Sequence, residues 1–169
     1  MKNRDFEKIS FNEFAKDIKD DKELYDSYLL PTRSSKSTAG YDFHLIEDIT
    51  IKPGEILKVP TGIKSYFKED ETLLLIIRSS TGFKYNIRMV NQIGVIDADY
   101  YNNEDNEGHM YFKIQNEGKE EVSFSSGDCV IQGIFMKYLT TDTDLRIEKK
   151  RRGKYQNVNF SWQISKSNW

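Results

Sequence analysis

Apolar positions follow two different rhythms along this chain. Near the start they recur at a helical interval, with Phe11, Phe14, Ala15 and Ile18 at i, i+3, i+4 and i+7. Ser10 followed by Glu13 matches a capping box, in which the two residues satisfy orphan amides at a helix start. The pattern predicts a helix over residues 10–19, with Lys22 to Tyr28 adding another turn or two. Pro31 and the run Thr32-Arg33-Ser34-Ser35-Lys36-Ser37-Thr38 end that texture. From Ala39 onward short apolar segments alternate with turn residues. They predict strands at Tyr41 to Leu45, Ile49 to Ile51, Glu55 to Pro60, Gly62 to Tyr66, Thr72 to Arg78, Asn86 to Asn91, Gly94 to Ile96, His109 to Asn116, Glu121 to Phe124 and Val130 to Tyr138. Lys52-Pro53-Gly54, Lys68-Glu69-Asp70, Asn116-Glu117-Gly118 and Ser125-Ser126-Gly127-Asp128 supply the turn chemistry between them. Such spacing belongs to an all-β sandwich, barrel or jelly roll.

No internal repeat or flexible linker interrupts this pattern. From Lys149 the composition changes to a basic run, Lys149, Lys150, Arg151, Arg152 and Lys154, then a polar stretch holding Tyr155, Phe160, Trp162 and Trp169. Residues 1–148 are therefore expected to form a single β domain with an N-terminal helical extension over about residues 1–29, and 149–169 a basic, polar and disordered tail.

Composition narrows the picture. A chain of 169 residues fits one domain. With 37% hydrophobic and 31% charged residues, part of any site is expected where subunits meet, which favours an oligomer. The formal charge of -2 provides no global basic field for nucleic acid, so an anionic ligand must be held by local groups. The single cysteine, Cys129, excludes an intrachain disulfide framework, and His44 and His109 make no zinc spacing with it. The longest apolar stretch runs only from Leu73 to Ile77, and no leader pattern precedes the helix. A soluble, cytoplasmic protein without a membrane partner is expected.

Four segments could carry chemistry. In Ala39-Gly40-Tyr41-Asp42-Phe43 a glycine permits close backbone approach and Asp42 enters a strand, although a plain turn before an edge strand has the same composition. Arg78-Ser79-Ser80-Thr81-Gly82 ends an apolar run with a planar cation, hydroxyls and a small-residue turn, which suits several phosphate oxygens at once; a solvated strand end is the alternative. The segment from Asn91 to Tyr100 reads as a hairpin tip, Asn91-Gln92-Ile93-Gly94, followed by a returning strand that delivers Asp97 and Asp99. The two aspartates share a face if the strand extends that far. A carboxylate beside a water can act as general base toward a phosphoryl centre, and Tyr100 can present a flat ring to a sugar. In Gly127-Asp128-Cys129-Val130-Ile131-Gln132-Gly133 a turn feeds an apolar strand carrying one amide, Gln132, which is either a satisfied core group or a site group.

In order and spacing these blocks resemble the first four signature motifs of the trimeric dUTPase family, with a match from roughly Leu30 to Tyr138 in which Ser80 stands for a more usual glycine. The resemblance implies a distorted jelly-roll subunit, a homotrimer with its sites at subunit interfaces, and Mg²⁺-dependent hydrolysis of dUTP to dUMP and pyrophosphate. By the same resemblance Asp97 activates the water that attacks the α-phosphorus, and Tyr100 packs on the deoxyribose, leaving no room for a 2′-hydroxyl. Asn91 and the backbone of Gly94, Val95 and Ile96 read the uracil edge. Arg78, Ser79 and Ser80 meet the phosphates, Gln132 bonds the α-phosphate or the water, and Asp42 reaches Mg²⁺ through water.

Two departures stand against the family pattern. Tyr101-Asn102-Asn103-Glu104-Asp105-Asn106-Glu107 intervenes before Gly108, and its composition predicts a solvated acidic loop, or else an extra cation site. Of the family's glycine-rich C-terminal lid only Arg152-Gly153 remains, which implies weaker closure over the triphosphate. The altered tail and the N-terminal helix leave a second reading, a catalytically weak dUTP-binding module acting through a protein partner. A dCTP deaminase is the third, disfavoured because His109-Met110-Tyr111-Phe112-Lys113-Ile114 holds no acid.

Overall fold

Alternation of buried and exposed side chains from Tyr41 onward produces antiparallel strands in the computed structural model, which describes residues 3–143. The expectations placed on residues 149–169 lie outside that range. In chain order the elements are β1 (Asp5–Lys8), α1 (Phe11–Asp17), α2 (Lys22–Ser27), β2 (Tyr41–His44), β3 (Ile49–Ile51), β4 (Ile56–Pro60), β5 (Ile63–Tyr66), β6 (Glu71–Ile77), α3 (Ser79–Tyr85), β7 (Ile87–Met89), β8 (Gly94–Asp97), a 3-10 turn (Ala98–Tyr100), β9 (Tyr111–Asn116), β10 (Val122–Phe124) and β11 (Cys129–Lys137).

A four-stranded sheet has the order β2-β11-β6-β8 and a three-stranded sheet the order β4-β9-β7, while β1-β5 and β10-β3 form two-stranded ribbons. Every pairing is antiparallel. Phe43, Leu73, Leu75 and Ile131 from the larger sheet join Val59, Ile87, Met89, Phe112 and Ile114 from the smaller in one buried cluster. This is the jelly-roll-like all-β fold, with period-two side chains filling the space between layers. No helix among the described residues is long and apolar enough to cross a membrane.

The larger sheet fixes two faces. Its register aligns Leu73 with Phe135 and Ile96, and Leu75 with Gly133 and Gly94, on the buried side. Alternation then puts Thr72, Leu74 and Ile76 of β6 on the opposite side, with Val95 and Asp97 of β8 and Gln132, Ile134 and Met136 of β11. Val95, Asp97 and Gln132 therefore share the face turned away from the subunit core, while Gly94 and Ile96 lie on the buried side.

The N-terminal arm is part of the core. Ile9 and Phe14 are fully buried, each contributing about 1.5–3 kcal/mol of hydrophobic stabilisation. Phe14 stacks on Tyr28 at 5.4 Å, and the Tyr28 hydroxyl donates to the Gly62 carbonyl at 2.7 Å. The arm begins with β1, a strand absent from the helical pattern, which pairs with β5 because Phe6 turns inward among Tyr41, Phe43 and Phe135. Helix α1 starts at the expected cap, with Ser10 Oγ accepting from the Glu13 amide at 3.2 Å. The reciprocal half of the capping box comes from elsewhere. Glu107 accepts from the Ser10 amide at 2.9 Å and from Ser10 Oγ at 2.5 Å, while Glu13 turns to Lys16 at 3.2 Å.

Candidate active site

At one end of the larger sheet, β2 and β11 set Asp42 opposite Gln132, with Gln132 opposite Ile76 on β6. The β2-β11 ladder shifts register between Cys129 and Ile131, and such a bulge re-aims the side chains that follow it. Gly40 lies directly under the Gln132 amide: a Cβ there would fall 1.9 Å from Gln132 Oε1. The close approach that the glycine predicted is thus an approach to the motif's own glutamine. Asp42 is held in place on its other side by the backbone, exchanging amide and carbonyl bonds with Thr32 at 2.7 and 3.2 Å.

Arg78 follows β6 and precedes α3, so Ser79 and Ser80 form the exposed first turn of a helix rather than a loop. The helix ends at Asn86, whose left-handed φ of 54° takes it out of the strand predicted for it. Arg78 Nε pairs with Asp42 Oδ1 at 3.0 Å, and Nη1 donates to the Cys129 carbonyl at 3.1 Å. These bonds aim the guanidinium across β2 and β11, leaving it one-third exposed. Asp42, Arg78, Ser79, Ser80 and Gln132 therefore gather at one end of the sheet.

The remaining motif residues lie elsewhere. Asn91 stands on an exposed turn with Gln92 at φ 60°, but the flanking strands do not pair with each other: β7 ladders with β9, and β8 with β6. The expected hairpin is a turn between two sheets. Gly94 is buried against Leu75, whereas Val95 is 57% exposed. Asp97 ends β8 opposite Thr72, and the chain then enters the 3-10 turn, so strand alternation does not extend to Asp99. From Thr72 to Ile76 is four positions along β6, about 13 Å, and two strand spacings separate β8 from β11; the Asp97 and Gln132 Cα atoms of one subunit are thus roughly 16 Å apart.

Tyr100, at the end of the 3-10 turn, has its ring partly buried against the core and its hydroxyl used twice. It donates to the His109 carbonyl at 3.1 Å and accepts from Asn106 Nδ2 at 2.8 Å. The insertion is therefore no solvated acidic loop. Asn103 is buried, donating to the Tyr100 carbonyl and to Asn106 Oδ1, each at 2.8 Å. Gly108 closes the loop at φ +84°, where a Cβ would approach the Tyr100 carbonyl oxygen to 2.7 Å. Burial raises the Glu107 carboxyl, but the two bonds from Ser10 and the nearby Lys64 outweigh it and hold Glu107 below the usual carboxylate range.

Beneath this loop lies a buried polar cluster that the sequence did not disclose. His109 Nε2 accepts from the Gly62 amide at 2.9 Å, so Nδ1 must carry the proton it gives to Asp17 Oδ2 at 3.1 Å. Burial pushes His109 down to about 4, against the upward pull of Asp17. Asp17 also accepts from the Tyr111 hydroxyl; despite its own burial, these bonds keep it ionised below its usual range. His109 read as an isolated histidine, and only tertiary contact supplies its partner. The Asn-rich stretch after Tyr100 was the available clue to this internally bonded loop.

Known proteins bear on this arrangement. The sequence matches the family model described as dUTPase over residues 26–162. The deoxyuridine 5'-triphosphate nucleotidohydrolase of Lactococcus lactis subsp. lactis (strain IL1403) is 45% identical over 123 residues, 73% of this chain and 82% of that relative. The dUTPase from Streptococcus mutans has a TM-score of 0.66 at 37% identity, with 81% of this chain and 98% of that one covered. A mutant dUTPase from phage phi11 of S. aureus, described as coordinating a structural Mg(II) ion, shares the fold at 18% identity and a TM-score of 0.63, covering 88% of this chain and 98% of that one.

Proposed function

Because the chain belongs to the dUTPase family and is a dUTP diphosphatase, we propose how its residues divide the work. Arg78 and the Ser79 and Ser80 turn bind the phosphates through charge-assisted bonds. Gln132, supported by Gly40, bonds the α-phosphate or the attacking water. Asn91 and the main chain of Gly94, Val95 and Ile96 read the uracil edge, and Tyr100 packs on the deoxyribose. Asp97 takes the proton of a water that attacks the α-phosphorus, so that dUMP and pyrophosphate separate.

The observation that carries this reading is the register of the four-stranded sheet. It puts Asp97 and Gln132 on one face but roughly 16 Å apart, too far to serve one phosphorus within a single subunit. The same face carries half-exposed Val95 and Met136, apolar surface suited to a neighbouring subunit. A homotrimer in which Asp97 of one subunit meets Arg78 and Gln132 of another accounts for both features.

Mg²⁺ fits this site as a ligand of the substrate. Among the described residues no group of three or more His, Cys, Asp or Glu is placed to hold a metal. Asp42, the candidate carboxylate, is already paired with Arg78 and suits a contact through a metal-bound water. When bound to the triphosphate, Mg²⁺ supplies neutralisation of the charge developing on the pyrophosphate leaving group. In this reading Arg78 shares that load while it stays paired with Asp42.

The test is release of pyrophosphate from dUTP with Mg²⁺ by the full chain, beside an Asp97→Asn variant. The native chain turns over and the variant loses about 10²–10⁴-fold in kcat. Equal rates in the two would remove Asp97 from the chemistry.

A further inference from the structure

Loop 101–108 returns to the base of Tyr100 and is fastened from outside by the N-terminal arm. Glu107 takes the Ser10 amide and hydroxyl and sits 3.4 Å from Lys64 Nζ, while the Tyr101 hydroxyl donates to Glu7 at 2.7 Å. Asp17 of α1 bonds His109 at the loop's far end. Strand β1, the cap of α1 and its last residue thus each hold a different point of the segment between Tyr100 and β9. Inside the loop, Asn103 accepts from the Asp105 and Asn106 amides at 3.0 and 3.1 Å and orients the Asn106 amide group through its own Nδ2. Asn106 then reaches both the Tyr100 hydroxyl and the His109 carbonyl, at 2.8 and 3.2 Å. Its Oδ1 accepts from the Gly108 amide at 3.1 Å, which fixes which end of the amide faces the tyrosine.

We propose that Asn106 is a positioning residue for sugar selection: with the His109 carbonyl it locks the Tyr100 ring by its hydroxyl, so that the ring face cannot yield to a 2′-hydroxyl. The inference rests on the reading of Tyr100 as the sugar platform. A ring anchored only at Cβ can rotate or tilt by a few tenths of an ångström, whereas one bonded at both ends cannot move without breaking a bond in a partly buried setting. Tyr100 Oη has one proton to give and gives it to the His109 carbonyl, so Asn106 must be the donor to the oxygen. Asn106→Asp replaces that donor with an acceptor, and Tyr100→Phe removes the anchor while keeping the ring.

The experiment measures kcat/KM for dUTP and for UTP with the full-length protein, its Tyr100→Phe and Asn106→Ala variants, and Glu104→Ala as an exposed control in the same loop. The dUTP-to-UTP ratio is expected to fall by about tenfold in Asn106→Ala, which loses one bond to the Tyr100 hydroxyl, and by at least as much in Tyr100→Phe, which loses two, chiefly through gain on UTP. The control keeps the native ratio. Loss of folded protein scales both substrates alike and leaves the ratio unmoved, so the readout separates positioning from stability. An unchanged ratio in Tyr100→Phe overturns the inference, and that conservative variant decides the matter even if Asn106→Ala does not fold. A native enzyme with no preference for dUTP over UTP would instead remove the sugar-platform reading itself.

Discussion

The two halves of the site are held by different kinds of structure. Asp42, Arg78 and Gln132 stand on or beside adjoining strands, and main-chain register with one short ion pair brings them together. Asp97 and Tyr100 stand at a corner where the strand ends, and Tyr100 is positioned by the loop that follows it, which is held in turn from distant parts of the chain, with Asp17 and Ser10 reaching across more than 90 positions to His109 and Glu107. A ladder fixes its members cooperatively and tolerates change at any one side chain. A corner held by individual hydrogen bonds concentrates the consequence of a change in the group that is lost.

The sharpest challenge to that contrast is subunit mixing. Asp97→Asn and Arg78→Ala should each reduce kcat by about 10²–10⁴-fold. If the proposed homotrimer holds, assemblies re-formed from both variants should regain a substantial fraction of native turnover, because some interfaces then pair an intact Asp97 with an intact Arg78. Mixtures no better than their parents would place both halves within one subunit.

The buried cluster under the corner predicts a pH dependence. His109 is neutral in the folded protein down to about 4, against an ordinary value of 6.5. Between these values the unfolded chain binds a proton that the folded one refuses, so stability is lost as pH falls through that window and levels off for this group below it. The loss is about 3 kcal/mol, measurable as a falling urea midpoint between pH 7 and 4 that flattens in His109→Gln.

The ladder half offers a milder test. Gly40→Ala puts a methyl where the Gln132 amide lies, and the flexible amide end can move aside without disturbing the sheet. Turnover of dUTP should fall by about tenfold while the melting temperature stays within a few degrees of native. Equal loss of both would show that Gly40 serves the backbone instead. Smallest is Glu107→Gln, which removes the charge that accepts from Ser10 and faces Lys64 and should cost about 1 kcal/mol in urea unfolding with an unchanged m-value.

Much of this was legible from residue order. Strand positions followed from alternation because a half-buried sheet enforces a period of two, and Ser10 marked the start of α1 because an orphan amide needs an acceptor. Gly40, Asp42, Arg78, Gln132, Asp97 and Tyr100 stood out because few residue types can approach closely, meet phosphate or orient water. The errors share one cause. Local pattern assigns Glu13 a bond that Glu107 makes, predicts a solvated acidic insertion and offers no strand at β1, since each depends on a partner that no local pattern announces.

The sequence by itself determined the period of the strands, the cap of the first helix and the chemical kinds of group available to the site, because these depend on neighbours a few positions away. Tertiary structure alone decided that Asp97 lies roughly 16 Å from Gln132 across the sheet, that His109 is a neutral acceptor, and that an Asn-rich insertion grips Tyr100. Sheet register and buried hydrogen bonds join residues whose separation along the chain carries no signal of their distance in space.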